Sequence, residues 1–79
     1  MESVIRSHFN DLRRKKATRE GRDISVRAVA RETNLSLPTV QRVASSDSEG
    51  LSGVKLGTIE VLSKYFGVGI GELIERVDD

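Results

Sequence analysis

The stretch Ser25-Val-Arg-Ala-Val-Ala-Arg-Glu-Thr-Asn-Leu-Ser-Leu-Pro-Thr-Val-Gln-Arg-Val-Ala44 decides the fold. Its first half places Val26, Val29, Ala30 and Thr33 on one helical face and Arg27, Arg31 and Glu32 on the other, the spacing of a short helix with one buried stripe. Asn34 stops that helix, because Asn tolerates the left-handed backbone a sharp helix end requires, and Leu35 behind it can pack into the angle that follows. Ser36 then has the side chain of an N-cap, and Pro38 falls in a first turn, where its missing N–H costs little. Val40, Val43 and Ala44 form the apolar side of the second helix. Leu37, Pro38, Thr39, Gln41, Arg42 and Ser45 remain outside. Two short amphipathic helices joined by so tight a turn predict a helix-turn-helix.

The outer set has the chemistry of base recognition. A recognition helix reads base edges with the residues of its N-terminal part, and Arg, Gln, Thr and small apolar groups do that reading. Arg42 can donate two hydrogen bonds to guanine O6 and N7, worth about 1–3 kcal/mol of discrimination. Gln41 can pair with adenine in the same bidentate way or hold a phosphate. Leu37, Pro38 and the Thr39 methyl suit thymine methyl groups.

Helical periodicity extends on both sides. Ile5, Phe9 and Leu12 make a stripe in the first segment, with Arg6, Arg13, Arg14, Lys15 and Lys16 crowding its polar side and distal end, and Gly21 closing it. The Arg13–Lys16 run suits either a solvated helix end, where cations favour the dipole, or phosphate contact. Leu56, Ile59, Leu62, Ser63 and Phe66 line a fourth helix ended by Gly67. Leu73, Ile74 and Val77 are expected to turn inward from a last helix. No run reads as an alternating strand, so the expectation is all-α: five short helices around one core, a single domain over residues 1–79.

Composition bounds the function. The chain has 79 residues, 37% hydrophobic and 32% charged, the balance of an ordinary folded domain rather than a disordered segment. With no cysteine and one histidine, His8, it has neither a disulfide framework nor a plausible metal site. The apolar stretches are too short to cross a membrane and the N-terminus lacks the apolar core of a signal peptide, which predicts a cytoplasmic location. The net charge of +1 hides an asymmetry: ten Lys and Arg against five Asp and Glu through Ser46, a net +5, and three against seven beyond it, a net −4. The half with the helix-turn-helix is the basic one, and phosphate neutralisation requires positive charge only on the docking face.

These residues resemble the helix-turn-helix of the Cro/CI-type (lambda-repressor-like, XRE-type) DNA-binding domains. The likeness continues through Thr58-Ile59, Leu62, Phe66-Gly67-Val68 and Glu72-Leu73-Ile74, matching in order the downstream helices of such domains, and spans Val4 to Val77. The resemblance implies a sequence-specific regulator of transcription, repressor-like, binding double-stranded DNA as a homodimer on a palindromic operator. Leu37, Pro38, Thr39, Gln41 and Arg42 would read the major groove, and Ser25, Arg27, Ser36, Ser45, Lys55 and Arg22 would contact phosphates. Val61, Tyr65 and Ile70 are candidates for the dimer surface. Some positions depart from the family pattern. Val26 stands where a phosphate-touching Gln is common, the Lys16–Ser25 connection is longer than usual, and the Ser46–Lys55 loop is long and carries Asp47 and Glu49 where Lys or Arg is common.

Two other classes compete. An antitoxin-like, protein-binding helix-turn-helix would use its acidic second half to cover a basic partner. An enzyme finds no support: the chain lacks a Gly-rich phosphate loop, a nucleophile–base pair and paired carboxylates in an apolar setting. No cofactor or small-molecule ligand is indicated.

Overall fold

The computed structural model describes residues 3–45, 51 and 53–78. Among these it shows five helices and one small sheet: β1 (Ser3–Ser7), α1 (Phe9–Glu20), α2 (Val26–Thr33), α3 (Leu37–Ala44), α4 (Leu56–Phe66), α5 (Ile70–Leu73) and β2 (Ile74–Asp78). The loop residues Asp47 and Glu49 lie outside the described residues.

Local chemistry sets the element ends as the sequence indicates. Ser25 Oγ accepts from the Ala28 amide at 3.0 Å and Ser36 Oγ from the Thr39 amide, so both helices of the motif start on a serine cap. Asn34 ends α2 in the left-handed conformation, φ 63°, and is the only described residue other than glycine with positive φ. The Leu35 amide then closes on the Ala30 carbonyl at 3.1 Å. Gly67 ends α4 at φ 71°, and the Val68 amide returns to the Ser63 carbonyl.

The core gathers one or more residues from every helix. Phe9, Ile24, Val29, Val40, Val43, Leu62 and Leu73 are fully or almost fully buried, joined by Ala28, Ala30, Leu51, Ile59 and Phe66. Phe9 meets Phe66 edge-to-face, ring centroids 5.4 Å apart, which ties α1 to α4. Ser63 is buried among these apolar groups and is satisfied by donating to the Glu60 carbonyl.

The expected five helices around one core are present, and three local readings are corrected. First, Ser3–Ser7 and Ile74–Asp78, where no strand was expected, pair as a small antiparallel ribbon with Ser3 opposite Asp78 and Ser7 opposite Ile74. Ile5 therefore belongs to a strand and not to the α1 stripe. Second, the last helix is a single turn that ends at Leu73, and Ile74 and Val77 lie in β2. Glycine inside so short a helix and β-branched residues after it favour extension once a partner strand is present. Third, Leu56 is 76% exposed and not on the inner face. It is the first residue of α4, and side chains on a helix tilt toward its N-terminus, so this one points past the end of the core.

Candidate nucleic-acid interface

Helices α2 and α3 pack against each other, and α3 is anchored by Val40 and Val43, both completely buried. Anchoring on that side leaves Pro38, Gln41 and Arg42 exposed along the opposite face, with Leu37 and Thr39 half-buried at its edge. The five residues expected to read bases thus fall on one surface of one helix. Leu37 also packs against the core, so its side chain is shared between support and surface.

The six residues expected at phosphates are disposed differently. Ser25 and Ser36 cap α2 and α3 with their side-chain oxygens, and Ser36 shares a hydrogen bond with Thr39 Oγ1 at 2.7 Å. Ser45 Oγ donates to the Arg42 carbonyl at 2.8 Å. Arg27 is exposed on the outer side of α2, and Lys55 is exposed at the start of α4, where its side chain makes no cap hydrogen bond.

Arg22 is committed elsewhere. Its guanidinium grips Glu32 through two bonds, 2.9 and 2.7 Å, and Glu20 through a third at 2.9 Å. Hydrogen bonding from Arg22, then from the Tyr65 hydroxyl, holds the Glu32 carboxyl well below its usual 4.5, at about 2. Burial first, and the same Glu32 bond second, push the Tyr65 hydroxyl up. Lys16 stands over the Tyr65 ring, 4.6 Å from its centroid, and pairs with Glu20 at 2.6 Å. This network straps the end of α1 and the last turn of α2 to α4, so it sets the attitude of the motif against the core. Sequence reasoning treated Arg22 and Tyr65 as outward-looking groups; nothing local in the sequence tells that residues 22, 32 and 65 converge.

The basic run of α1 also divides. Arg13 donates to the Ile24 carbonyl at 2.7 Å, holding the segment that enters α2, and Arg14 pairs weakly with Asp11 at 3.5 Å. Lys15 is exposed and Lys16 faces Tyr65. His8 meets Glu75 across the base of the ribbon, 2.8 Å between Nε2 and Oε1. Among the described residues no group of three or more His, Cys, Asp or Glu side chains has the arrangement to hold a metal ion, and no helix is long and apolar enough to cross a membrane.

A cleft of about 260 Å³ lies beside the recognition face, between α3 and the start of α4. Leu35, Thr39, Arg42, Gly53, Val54, Lys55 and Thr58 line it. The Arg42 guanidinium lies beside Gly53 in the segment that leads into α4, at ordinary contact distance, 3.8 Å, from where a Cβ at that position would stand.

Comparison with known protein families matches residues 9–79 to the Cro/C1-type HTH DNA-binding domain. No curated protein and no solved structure matches the chain. The matched span runs from the first residue of α1 through β2, leaving residues 1–8, among them β1 and His8, outside it. A capped helix pair, with the second helix anchored by two valines and presenting Gln and Arg outward, is what such a domain requires, and the chain belongs to the Cro/C1-type HTH DNA-binding domains.

Proposed function

We propose that this protein is a sequence-specific regulator of transcription, repressor-like, that inserts the N-terminal part of α3 into the major groove of double-stranded DNA. The observation that carries the reading is the division of α3 between buried Val40 and Val43 and exposed Pro38, Gln41 and Arg42. Leu37, Pro38 and the Thr39 methyl meet thymine methyl groups, and Gln41 pairs with adenine. Arg42 donates its two guanidinium hydrogen bonds to guanine O6 and N7. Ser25, Arg27, Ser36, Ser45 and Lys55 flank this face and fix register through phosphates, with Ser25 and Ser36 at helix N-termini, where first-turn amides favour an anion. Arg22 supports the motif through Glu32 and is not assigned a phosphate.

One recognition helix reads only a few base pairs, so useful discrimination calls for two copies on a palindromic site with half-sites about 34 Å apart. Val61 and Ile70, 38% and 44% exposed, are apolar groups available for that association, as is Leu56; Tyr65 is withdrawn from the set because it is half-buried and bonded to Glu32. The reading entails a cytoplasmic or nucleoid location, where the DNA is.

Selection of bound duplexes from a random library tests it. A palindromic motif with two half-sites is the expected result. Recovery of no motif, with binding that merely fades as salt rises, would refute sequence reading and favour a protein partner for the helix-turn-helix.

A further inference from the structure

Polar ties hold the recognition helix to the rest of the domain near each of its ends. At the C-terminal end, Asn10 Nδ2 of α1 donates to the Ala44 carbonyl at 2.9 Å. On the N-terminal side, just before the turn into α3, Glu32 accepts from the Tyr65 hydroxyl of α4 at 2.9 Å and from Arg22 at 2.9 and 2.7 Å. The eight residues of α3 separate the two ties by about 12 Å, at about 1.5 Å each. Val40 and Val43 are buried between them, but apolar burial is non-directional, so the directional part of the attachment belongs to the polar ties. The Tyr65 end is itself fixed. Its ring lies 4.6 Å from the Lys16 ammonium and meets Phe66 edge-to-face, centroids 5.2 Å apart, and Phe66 in turn meets Phe9 in the core. One turn earlier on α4 stands exposed Val61, one of the groups assigned above to the association of two copies. Tyr65 thus lies between the reading unit and the side that meets the second copy.

We propose that Tyr65, acting through Glu32, is a positioning residue that fixes the tilt of α3 and thereby the separation of half-sites that the dimer accepts. Without that tie, α3 pivots on the Asn10–Ala44 attachment, and its leading end, with Leu37, Pro38 and Gln41, shifts relative to the second copy. One base pair added between half-sites moves them about 3.4 Å apart and rotates one against the other by about 34°. A domain that holds α3 at one tilt rejects that change, and a domain that lets α3 pivot tolerates part of it. The inference rests on the dimeric DNA-binding reading above and specifies what sets its geometry.

The test repeats the selection with Tyr65→Phe, Glu32→Gln and Ile59→Val, then titrates duplexes whose half-sites stand at the selected spacing or one base pair closer or farther. Tyr65→Phe removes only the hydroxyl and keeps the ring contacts with Lys16 and Phe66, whereas Ile59→Val loosens the buried core without touching the strap. The preference of the wild type for its selected spacing should fall at least about fivefold in Tyr65→Phe and in Glu32→Gln, the low end of a coupling between linked sites. Base preferences within each half-site should stay those of the wild type, and Ile59→Val should keep the wild-type spacing preference at a lowered urea midpoint. An unchanged spacing preference in either strap variant, or an equal loss in Ile59→Val, would overturn the proposal and leave the DNA-binding reading standing. A wild type that selects no motif with two half-sites would overturn that reading, and the proposal with it.

Discussion

Removing two methyl groups from the underside of the recognition helix should loosen the whole domain without altering the surface it presents. Val40 is completely buried and points from α3 into the core beside Val43, so Val40→Ala removes carbon that no solvent can replace. Loss of two buried methyl-sized groups costs about 1.6 kcal/mol in transfer free energy, at about 0.8 kcal/mol each. The residual cavity brings the total to about 2–3 kcal/mol, since α2, α3 and α4 are held by their other contacts and collapse only in part. A domain of this size has a total stability of about 4–12 kcal/mol, so the loss is a large share of it. In urea, with a slope of about 1 kcal/mol/M, the midpoint should fall by about 2 M at unchanged slope. At low temperature, where the variant is still folded, its affinity for the selected duplex should change less than about threefold, because every exposed group of α3 is intact. A midpoint shift under about 0.5 M would mean that Val40 does not anchor the helix, and the division of α3 into a buried and a reading face would fail with it.

Other perturbations follow from the same contacts. Ser36→Ala removes the oxygen that accepts the Thr39 amide and should cost about 1 kcal/mol, read as a lower urea midpoint, with Ser36→Gly milder. Asn34→Val forces a β-branched residue into φ 63° and should cost about 1–3 kcal/mol, whereas Asn34→Gly should be tolerated with little loss. The Glu32 carboxyl is held at about 2 in the native state against 4.5, so the unfolded chain binds its proton more readily; that contribution is complete above about pH 4.5 and is lost as pH falls toward 2. Tyr65 is raised above its usual 10, so its contribution is complete below pH 10 and is lost as pH rises through its native value. Urea midpoints measured across pH should therefore drop at both ends, and Glu32→Gln should flatten the acid limb.

Much of this fold was legible because its signals are local. Caps at Ser25 and Ser36, the left-handed Asn34 and Gly67, and the apolar spacing of Val29, Val40, Val43, Ile59, Leu62 and Phe66 each act within a turn or two, and the structure contains all of them. The ribbon was not legible. Ser3–Ser7 and Ile74–Asp78 lie at opposite ends of the chain, neither alternates cleanly, and only their mutual hydrogen bonding makes them strands. Leu56 misled because periodicity assigns a face but not where the core stops. For the candidate interface, helix spacing is enough to place Leu37, Pro38, Thr39, Gln41 and Arg42 on one surface. It does not say which cations are already spoken for: Arg22 looked free and is locked to Glu32, while Arg42 and Lys55, 13 residues apart, share a cleft that only the packing of α3 beside α4 creates.

Whether the exposed face of α3 reads sequence is decided by equilibrium titration, followed by fluorescence anisotropy at physiological salt, on the selected palindromic duplex and on a scrambled duplex of the same length. The wild type should bind the selected duplex at least about 10³-fold tighter, with Gln41→Ala losing about 1–3 kcal/mol of that preference at one base pair per half-site. Equal affinity for the two duplexes would mean that α3 does not read bases.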